Sequence, residues 1–376
     1  MRKIGIFGGT FDPLHIAHIK LAKYAKDKLG LDFVIMLACG NPPHKRNRKI
    51  TDASIRHTML KKAIEGVDGL IACDYEIKLR EFSYTATTLE FFKKIYPDDK
   101  LYFIMGGDSL DYFDKWYKPD VIASLCTIAV YGRGEKHRFD EISRQFGADI
   151  VKLDGEFFDI SSTKLRTDSM LLKKHTPPAV FDFISRYRLY TENDEEQVLS
   201  ELLSEKRLLH SKNVADMAKR LAVRYGISAE TAVRAGLLHD IAKEIPYEKA
   251  LKMCDELAAD LDPIEQITPP LVHPKLGAEL VKCYFGICEG EITSAIRSHT
   301  VGKPDMSLLD KIIFVADMCE EGRSFDGVEN IRSAAYENID RAVILCIEST
   351  IAFTIAKGGF VHPMAYRIKK ELLAKF

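Results

Sequence analysis

The sequence predicts two domains of different fold class: a doubly wound, mostly parallel α/β sheet over residues 1–190 and an all-α domain over residues 195–376. Three observations carry this expectation. Strand-length apolar runs alternate with helical periodicities throughout the first half. Each motif there that could carry chemistry follows directly on a strand, where open α/β sheets bind their ligands. After a polar, acidic stretch at 191–196 the pattern is helical, with Val198, Leu202, Leu203, Val214, Met217 and Leu221 at helical spacing and no convincing period-2 run.

A length of 376 residues suits two domains and allows three. With 46% hydrophobic and 29% charged residues the chain has an ordinary globular balance. Its 54 Lys and Arg against 55 Asp and Glu give no support to a nucleic-acid-binding tail. Residues 1–190 hold 31 basic and 25 acidic residues, +6, which leaves −7 for the rest. A basic half suits phosphorylated ligands and an acidic half tolerates divalent cations. None of the 8 cysteines has Cys-x-x-Cys spacing, so they read as reduced core residues of a cytosolic protein. A core strand at the start argues against a signal peptide, and no run of 18 uncharged apolar residues offers a membrane span. The expectation is a cytoplasmic protein that binds neither membrane nor nucleic acid.

Residues 4–18 organise the first half. Ile4, Ile6 and Phe7 read as a short buried strand that Gly8 and Gly9 break, leaving bare amides for a ligand. Thr10 can hydrogen-bond that ligand or the turn itself. Pro13 forbids a continuing strand. Ile16, Ile19 and Leu21 then recur at helical spacing, which puts His15 and His18 on one face of the first helical turn. Two imidazoles, two glycines and a helix start at a strand end make a phosphate site.

Further strands are expected at 33–38, 70–73, 101–105, 125–130 and 150–153, with helices at 51–66, 84–95 and 180–187. Gly40-Asn41-Pro42-Pro43-His44-Lys45, followed by Arg46, Arg48 and Lys49, is either a solvated basic loop or a ligand loop. Gly106-Gly107-Asp108 could offer its carboxylate to a ribose hydroxyl. Trp116, the only tryptophan, is either a packing aromatic or a stacking platform for a flat ring. Tyr131-Gly132-Arg133-Gly134 flanks another cation with glycines. In Ile160-Ser161-Ser162-Thr163-Lys164-Leu165-Arg166 a serine can cap a helix, and the two cations set against its dipole suggest a bound anion.

The ordered string Gly8-Gly9-x-Phe11-Asp12-Pro13-x-His15-x-x-His18 resembles the nucleotidylyltransferase superfamily. With the Asn41–Lys45 loop, Ser83-Tyr84-Thr85, Gly106-Gly107-Asp108, Trp116 and 160–166, residues 1–190 look like a nicotinate-mononucleotide adenylyltransferase. Ala17 stands where that family usually has Gly, and Gly107 where it often has Ala. The resemblance implies transfer of AMP from ATP to nicotinate mononucleotide, giving deamido-NAD and pyrophosphate. It implies that Gly8, Gly9, Thr10, Phe11, Ser161, Ser162 and Thr163 bind ATP. His15, His18, Lys45 and Arg166 would hold the triphosphate with Mg²⁺, by positioning and charge neutralisation rather than with a general base. Trp116 would stack on the nicotinate ring beside Tyr84 and Arg133, amides near Thr85 and Tyr117 would meet its carboxylate, and Asp108 the ribose. Nicotinamide mononucleotide and phosphopantetheine are the alternative acceptors.

The chemistry of the second half lies in His210, His239-Asp240, His273, His299 and Asp317. His239 and Asp240 are read as side by side on an apolar helix, a costly arrangement unless paired or metal-bound. Imidazole with carboxylate suits Mn, Fe, Co, Ni or Zn better than Ca. The order His…His-Asp…Asp resembles the HD-domain metal-dependent phosphohydrolases, and His273 and His299 resemble the subset that holds two metals. Leu209-His210-Ser211-x-Asn213, Arg297-Ser298-His299-Thr300 and Ala316-Asp317 with Arg323-x-Phe325-x-Gly327 look like the bacterial symmetrical diadenosine-tetraphosphate hydrolases. His273-Pro274-Lys275 departs from them, since a Gly commonly follows that His. The resemblance implies a two-metal hydrolysis of diadenosine tetraphosphate to ADP, with Fe, Mn, Co or Ni. His210, His239, Asp240 and Asp317 would hold one metal and His273 and His299 the other, with Asp240 bridging. Lys243 and Arg323 are placed to neutralise phosphate. A different nucleotide substrate, a non-catalytic nucleotide sensor and a homo-oligomer are compatible with the same residues.

Overall fold

The computed structural model describes residues 1–40, 50–79, 82–132, 138–155, 160–288 and 290–376. They form two compact units, Met1–Arg186 and Tyr187–Phe376. Lys45 with its loop 41–49, and Arg133 with Gly134, lie outside the described residues.

In the first unit six parallel strands run in the order β3-β2-β1-β4-β5-β6: β1 Lys3–Gly9, β2 Phe33–Ala38, β3 Leu70–Cys73, β4 Lys100–Gly106, β5 Thr127–Tyr131 and β6 Ile150–Leu153. Near-continuous apolar runs such as Phe33–Ala38 suit strands covered on both faces. The order reverses between β1 and β4. Those strands pair only from Lys3↔Lys100 to Ile6↔Phe103, while β1 stays paired with β2 as far as Gly9↔Ala38. The carboxyl ends of β1 and β4 therefore part, and a crevice opens between them.

Two local expectations change. Gly8 and Gly9 do not break the first strand; they are its last two residues, opposite Leu37 and Ala38. The fifth strand does not begin at Leu125, which ends the helix Pro119–Leu125; the strand starts at Thr127. Val121, Ile122 and Leu125 are apolar at helical spacing, and the short gap to the strand merged the two in the sequence.

The second unit is helical throughout its described residues. Helices Glu205–Tyr225, Ala229–Leu238, Glu291–Ser298 and Leu308–Cys319 pack around one core that includes Val214, Leu221, Ala235, Ala295 and Ile313. Ser204, Ser228 and Ser307 cap three of these helices through their hydroxyls. Gly236 permits a close approach of two of them, since a Cβ there would stand 2.8 Å from the Ala215 Cα. No helix among the described residues is long and apolar enough to cross a membrane. None of the eight cysteines is in a disulfide; Cys288 is exposed, and Cys39 and Cys73 are half-buried rather than core.

Candidate active sites

The crevice beyond β1 is a cleft of about 1070 Å³. Gly8, Gly9, Thr10, Tyr84, Thr85, Asp108, Trp116 and Tyr117 all line it. The two glycines differ in kind. A Cβ on Gly8 would meet nothing within 4 Å, whereas one on Gly9 would strike the Phe11 ring at 2.6 Å. Gly8 thus leaves room in the cleft, and Gly9 leaves room for Phe11. Trp116 both packs and borders the cleft. It is half-buried on Phe103 and Phe113, with ring centroids at 6.1 and 5.7 Å, and it lines the cleft. Tyr84 and Tyr117 lie with ring centroids 4.5 Å apart, and Tyr84 leads into the helix Thr85–Ile95.

His15 is the N-cap of the helix Ile16–Leu29, and His18 is in its first turn. Their rings stack at 3.7 Å, and the His15 backbone N–H donates to His18 Nδ1 at 3.2 Å. That bond leaves Nε2 of His18 as its donor. Burial, and to a lesser degree His175, pushes the His15 imidazole down to about 4. Burial beside His15 pushes His18 down as well. Both rings are therefore neutral at neutral pH. Phe11 is buried edge-on against His18, with centroids 4.9 Å apart. Ser162 donates to the Pro13 carbonyl at 3.1 Å, and Arg166 to the Asp12 carbonyl at 2.5 Å. Ser161 caps the following helix, and Thr163 accepts from Arg166 at 3.3 Å. Residues 161–166 are thereby tied to the loop that carries the histidines, though none of them lines the cleft above.

Two buried residues of this unit gave no motif. Arg56, 1% exposed, donates to the carbonyls of Thr10, Cys39, Gly40 and Thr51 and so locks the ends of β1 and β2. Glu76 accepts from Thr88 at 2.9 Å at the cleft wall, with burial raising its carboxyl pKa.

In the second unit five helices bring six side chains together. His210 lies within Glu205–Tyr225, His273 in the first turn of Val272–Phe285, His299 caps the end of Glu291–Ser298, and Asp317 lies in Leu308–Cys319. His239 and Asp240 are not inside a helix as expected: the helix Ala229 onward stops at Leu238. His239 itself keeps helical angles, φ −56° and ψ −37°, as the residue that ends the helix, and both side chains face one centre. His239, Asp240, His273 and His299 are all buried to within 4%.

The donor chemistry fits divalent metals. Nδ1 of His239, His273 and His299 each faces the carbonyl three residues earlier, at 2.7, 2.8 and 2.7 Å. Nδ1 of His210 faces Glu320 at 3.2 Å. Donation there directs the Nε2 lone pairs inward, as metal-ligating imidazoles require. Nε2 of His273 and of His299 stand 3.0 Å apart, two acceptors that repel unless a cation lies near both. The two oxygens of Asp240 face different partners. Oδ1 is 3.1 Å from His273 and 3.5 Å from His299, while Oδ2 is 3.4 Å from His239 and 3.8 Å from His210. Asp317 Oδ1 is 3.0 Å from His210 and 3.8 Å from His239. Two ligands each about 2.1 Å from one ion stand about 3.0–3.5 Å apart, which is this spacing. His210 Nε2, His239 Nε2 and Asp240 Oδ1 are buried with no hydrogen-bond partner.

Burial works against charge on Asp240, yet the facing His239, His273 and His299 outweigh it and hold its carboxyl well below the usual range. Burial likewise opposes charge on His239, and Asp240 with Asp317 overrides it. Burial drives His273 down to about 3. Three cations stand at the edge. Arg207 donates to Asp240 Oδ2 at 2.9 Å, Arg323 to Asp317 Oδ1 at 2.7 Å, and Lys243 Nζ is 3.3 Å from His273 Nε2. Arg207 and Glu320 carried no weight in the sequence. Each lies three residues from a ligand candidate, His210 and Asp317, and that helical spacing could have found them.

The two domains are of nucleotidyltransferase and HD class. Residues 6–168 match the Cytidylyltransferase-like family and residues 207–322 the HD domain family. A probable nicotinate-nucleotide adenylyltransferase/Ap4A hydrolase of Mycoplasma genitalium is 30% identical over 92% of this chain and 97% of its own length. A probable nicotinate-nucleotide adenylyltransferase of Clostridium botulinum is 39% identical over 51% of this chain and all of its own length. A solved Clostridium acetobutylicum protein, described as a "predicted HD superfamily hydrolase involved in NAD metabolism", is 38% identical over 50% of this chain and all of its own, with a TM-score of 0.48. The chain belongs to the family of nicotinate-nucleotide adenylyltransferase/Ap4A hydrolases, two-domain enzymes with a nucleotidyltransferase and an HD hydrolase half. An HD domain implies divalent-metal binding, and the donor set described above fits it.

Proposed function

We propose that the chain is a cytoplasmic bifunctional enzyme. The first domain transfers AMP from ATP, as its Mg²⁺ complex, to nicotinate mononucleotide and releases pyrophosphate with deamido-NAD. The second hydrolyses diadenosine tetraphosphate symmetrically to two ADP. The names of the two-domain Mycoplasma relatives support both activities. The single observation that carries the reading of the first domain is the cleft at the strand-order reversal, where Gly8 leaves space beside Trp116, Asp108 and the start of the helix at Thr85.

In this reading the acceptor's ring stacks on Trp116 beside Tyr84 and Tyr117, its carboxylate meets backbone amides near Thr85, and Asp108 takes the ribose. A carboxylate only accepts whereas a carboxamide also donates, so amides there favour the acid. His18, its Nδ1 already engaged, donates through Nε2 to the triphosphate, and Arg166 and Lys45 add charge. Neutral imidazoles suit a site that binds and releases a polyanion. No residue need act as base, because the attacking phosphate is already ionised, and catalysis rests on alignment and charge.

In the second domain His210, His239, Asp240 and Asp317 would hold one metal, and His273 and His299, with Asp240 shared, the other. When bound, two divalent ions supply Lewis acidity and a water acidified for attack on phosphorus. Glu320 orients His210 through Nδ1, and Arg323 and Arg207 neutralise phosphate oxygens. Fe, Mn, Co and Ni all suit imidazole with carboxylate.

The test is a panel on the purified chain. Nicotinate mononucleotide, nicotinamide mononucleotide and phosphopantetheine are offered with ATP, and diadenosine tetraphosphate, mononucleotides and cyclic dinucleotides are offered after loading with each metal, with products identified by mass. Deamido-NAD and ADP are the expected products. Preferential use of another acceptor would overturn the first assignment, and absence of hydrolysis with every metal would overturn the second in favour of a nucleotide sensor.

A further inference from the structure

Among the three cations at the edge of the HD centre, Lys243 is bound differently from the other two. Arg207 and Arg323 donate to carboxylate oxygens, which keep spare lone pairs and can serve a guanidinium and a metal together. Lys243 Nζ instead stands 3.3 Å from Nε2 of His273. An imidazole nitrogen in the plane of its ring has one lone pair. The other nitrogen of His273 is already engaged, with Nδ1 2.8 Å from the Pro270 carbonyl, so the ring cannot turn to offer a second acceptor. A lysine ammonium can only donate, which leaves Nε2 as the acceptor in this contact. The same Nε2 faces His299 Nε2 at 3.0 Å and Asp240 Oδ1 at 3.1 Å, the atoms with which it would share a metal.

We propose that Lys243 and a metal compete for the His273 lone pair, so that metal binding releases the Lys243 ammonium to hold a phosphate group of the substrate. The inference rests on the metal-centre reading given under the proposed function and extends it to the coupling between metal and polyphosphate. Geometry favours the exchange. Lys243 lies three residues beyond Asp240, its backbone N–H bonded to the Asp240 carbonyl at 2.8 Å, so its Cα is fixed beside the centre. Its side chain is only half-buried. A flexible four-carbon stem lets the ammonium leave His273 without leaving the site. An ammonium displaced by a divalent cation is repelled by it, and the nearest stable position is against an anion that the metals themselves attract.

Linkage then makes the effect reciprocal: metal strengthens polyphosphate binding, and polyphosphate strengthens metal binding. The opposite expectation holds for a lysine that merely props His273. Removing a prop would weaken the metal site, whereas removing a competitor tightens it.

The experiment uses the full chain, wild type and Lys243→Met. Mn²⁺ is titrated in and the free ion followed by electron paramagnetic resonance; ADP is then titrated by calorimetry into the Mn²⁺-loaded protein. The other domain is the same in both proteins, so a difference in ADP binding arises at this centre. Lys243→Met is expected to bind Mn²⁺ about tenfold more tightly and ADP about tenfold more weakly. Unchanged or weaker Mn²⁺ binding in Lys243→Met would overturn the competition. Failure of the wild type itself to take up Mn²⁺ would overturn the metal centre instead, a different outcome in the same titration. Should Lys243→Met not fold, Lys243→Gln, also uncharged and close in length, is read by the same two constants.

Discussion

Replacing Gly236 with Ala sets two effects of opposite sign against each other. Gly236 lies in the helix Ala229–Leu238, where helix propensity alone favours Ala by about 1 kcal/mol. Packing opposes it. The new Cβ would stand 2.8 Å from Ala215 Cα, 3.0 Å from its N and 3.2 Å from the Val214 carbonyl carbon. All three are backbone atoms of the helix Glu205–Tyr225, so no side chain can swing away. Ordinary carbon contacts lie at about 3.5–4.0 Å, so the helices must part by about 1 Å. Overpacking of this kind costs about 1–3 kcal/mol, which outweighs the propensity gain. The same displacement separates His210 on one helix from His239 at the end of the other. Metal–ligand distances tolerate about 0.2 Å, so metal affinity should fall as well. Urea unfolding of the apo chain reads the first effect and Mn²⁺ titration the second. A variant stabilised by about 1 kcal/mol with wild-type Mn²⁺ affinity would refute the packing argument.

Other outcomes follow from the same geometry. Gly8→Ala should fold as well as the wild type and lose adenylyl transfer, because its methyl enters the cleft, while Gly9→Ala should lose about 1–3 kcal/mol against Phe11, both read by urea unfolding beside a pyrophosphate-release assay. Arg56→Leu strips four backbone carbonyls of their donor and should cost about 3 kcal/mol or more in the same unfolding assay. His15 is neutral in the fold down to about pH 4 but is protonated below about 6.5 in the unfolded chain, so its contribution to stability is present above that range and is lost as pH falls through it. His15→Gln should therefore flatten the acid limb of a stability–pH curve between pH 6.5 and 4, and an unchanged limb would show that His15 titrates normally.

How far the sequence could be read follows from the physics of each residue. The strand at 33–38 and the strands at 70–73 and 150–153 were legible to the residue, because apolar runs between polar turns have one reading. The start of the fifth strand was not, because a helix with its own apolar face runs into it. Gly8 and Gly9 looked like an interruption, yet a parallel ladder needs only backbone, and Leu37 and Ala38 supply the partners. The ligand candidates of the second domain were visible because histidine and aspartate are conspicuous in apolar stretches of sequence. Arg207, Glu320 and Arg56 were not, since an arginine or glutamate in a helix ordinarily faces water. Helical spacing from His210 and Asp317 points to Arg207 and Glu320 but nothing points to Arg56, and the fold shows all three facing inward, toward Asp240, His210 and four carbonyls. Which imidazole nitrogen faces the centre is likewise invisible in a sequence, because the side-chain rotamer that sets Nδ1 against a local carbonyl, such as that of Pro270 three residues before His273, is fixed only in the fold.

The central claim is that two independent active sites share this chain, and one pair of variants tests it most directly. His18→Ala and His239→Ala are each assayed for deamido-NAD formation from ATP with Mg²⁺ and for ADP release from diadenosine tetraphosphate after loading with a transition metal. The account predicts that His18→Ala loses only the first activity and His239→Ala only the second. Loss of both activities in either folded variant, or survival of hydrolysis in His239→Ala, would contradict it.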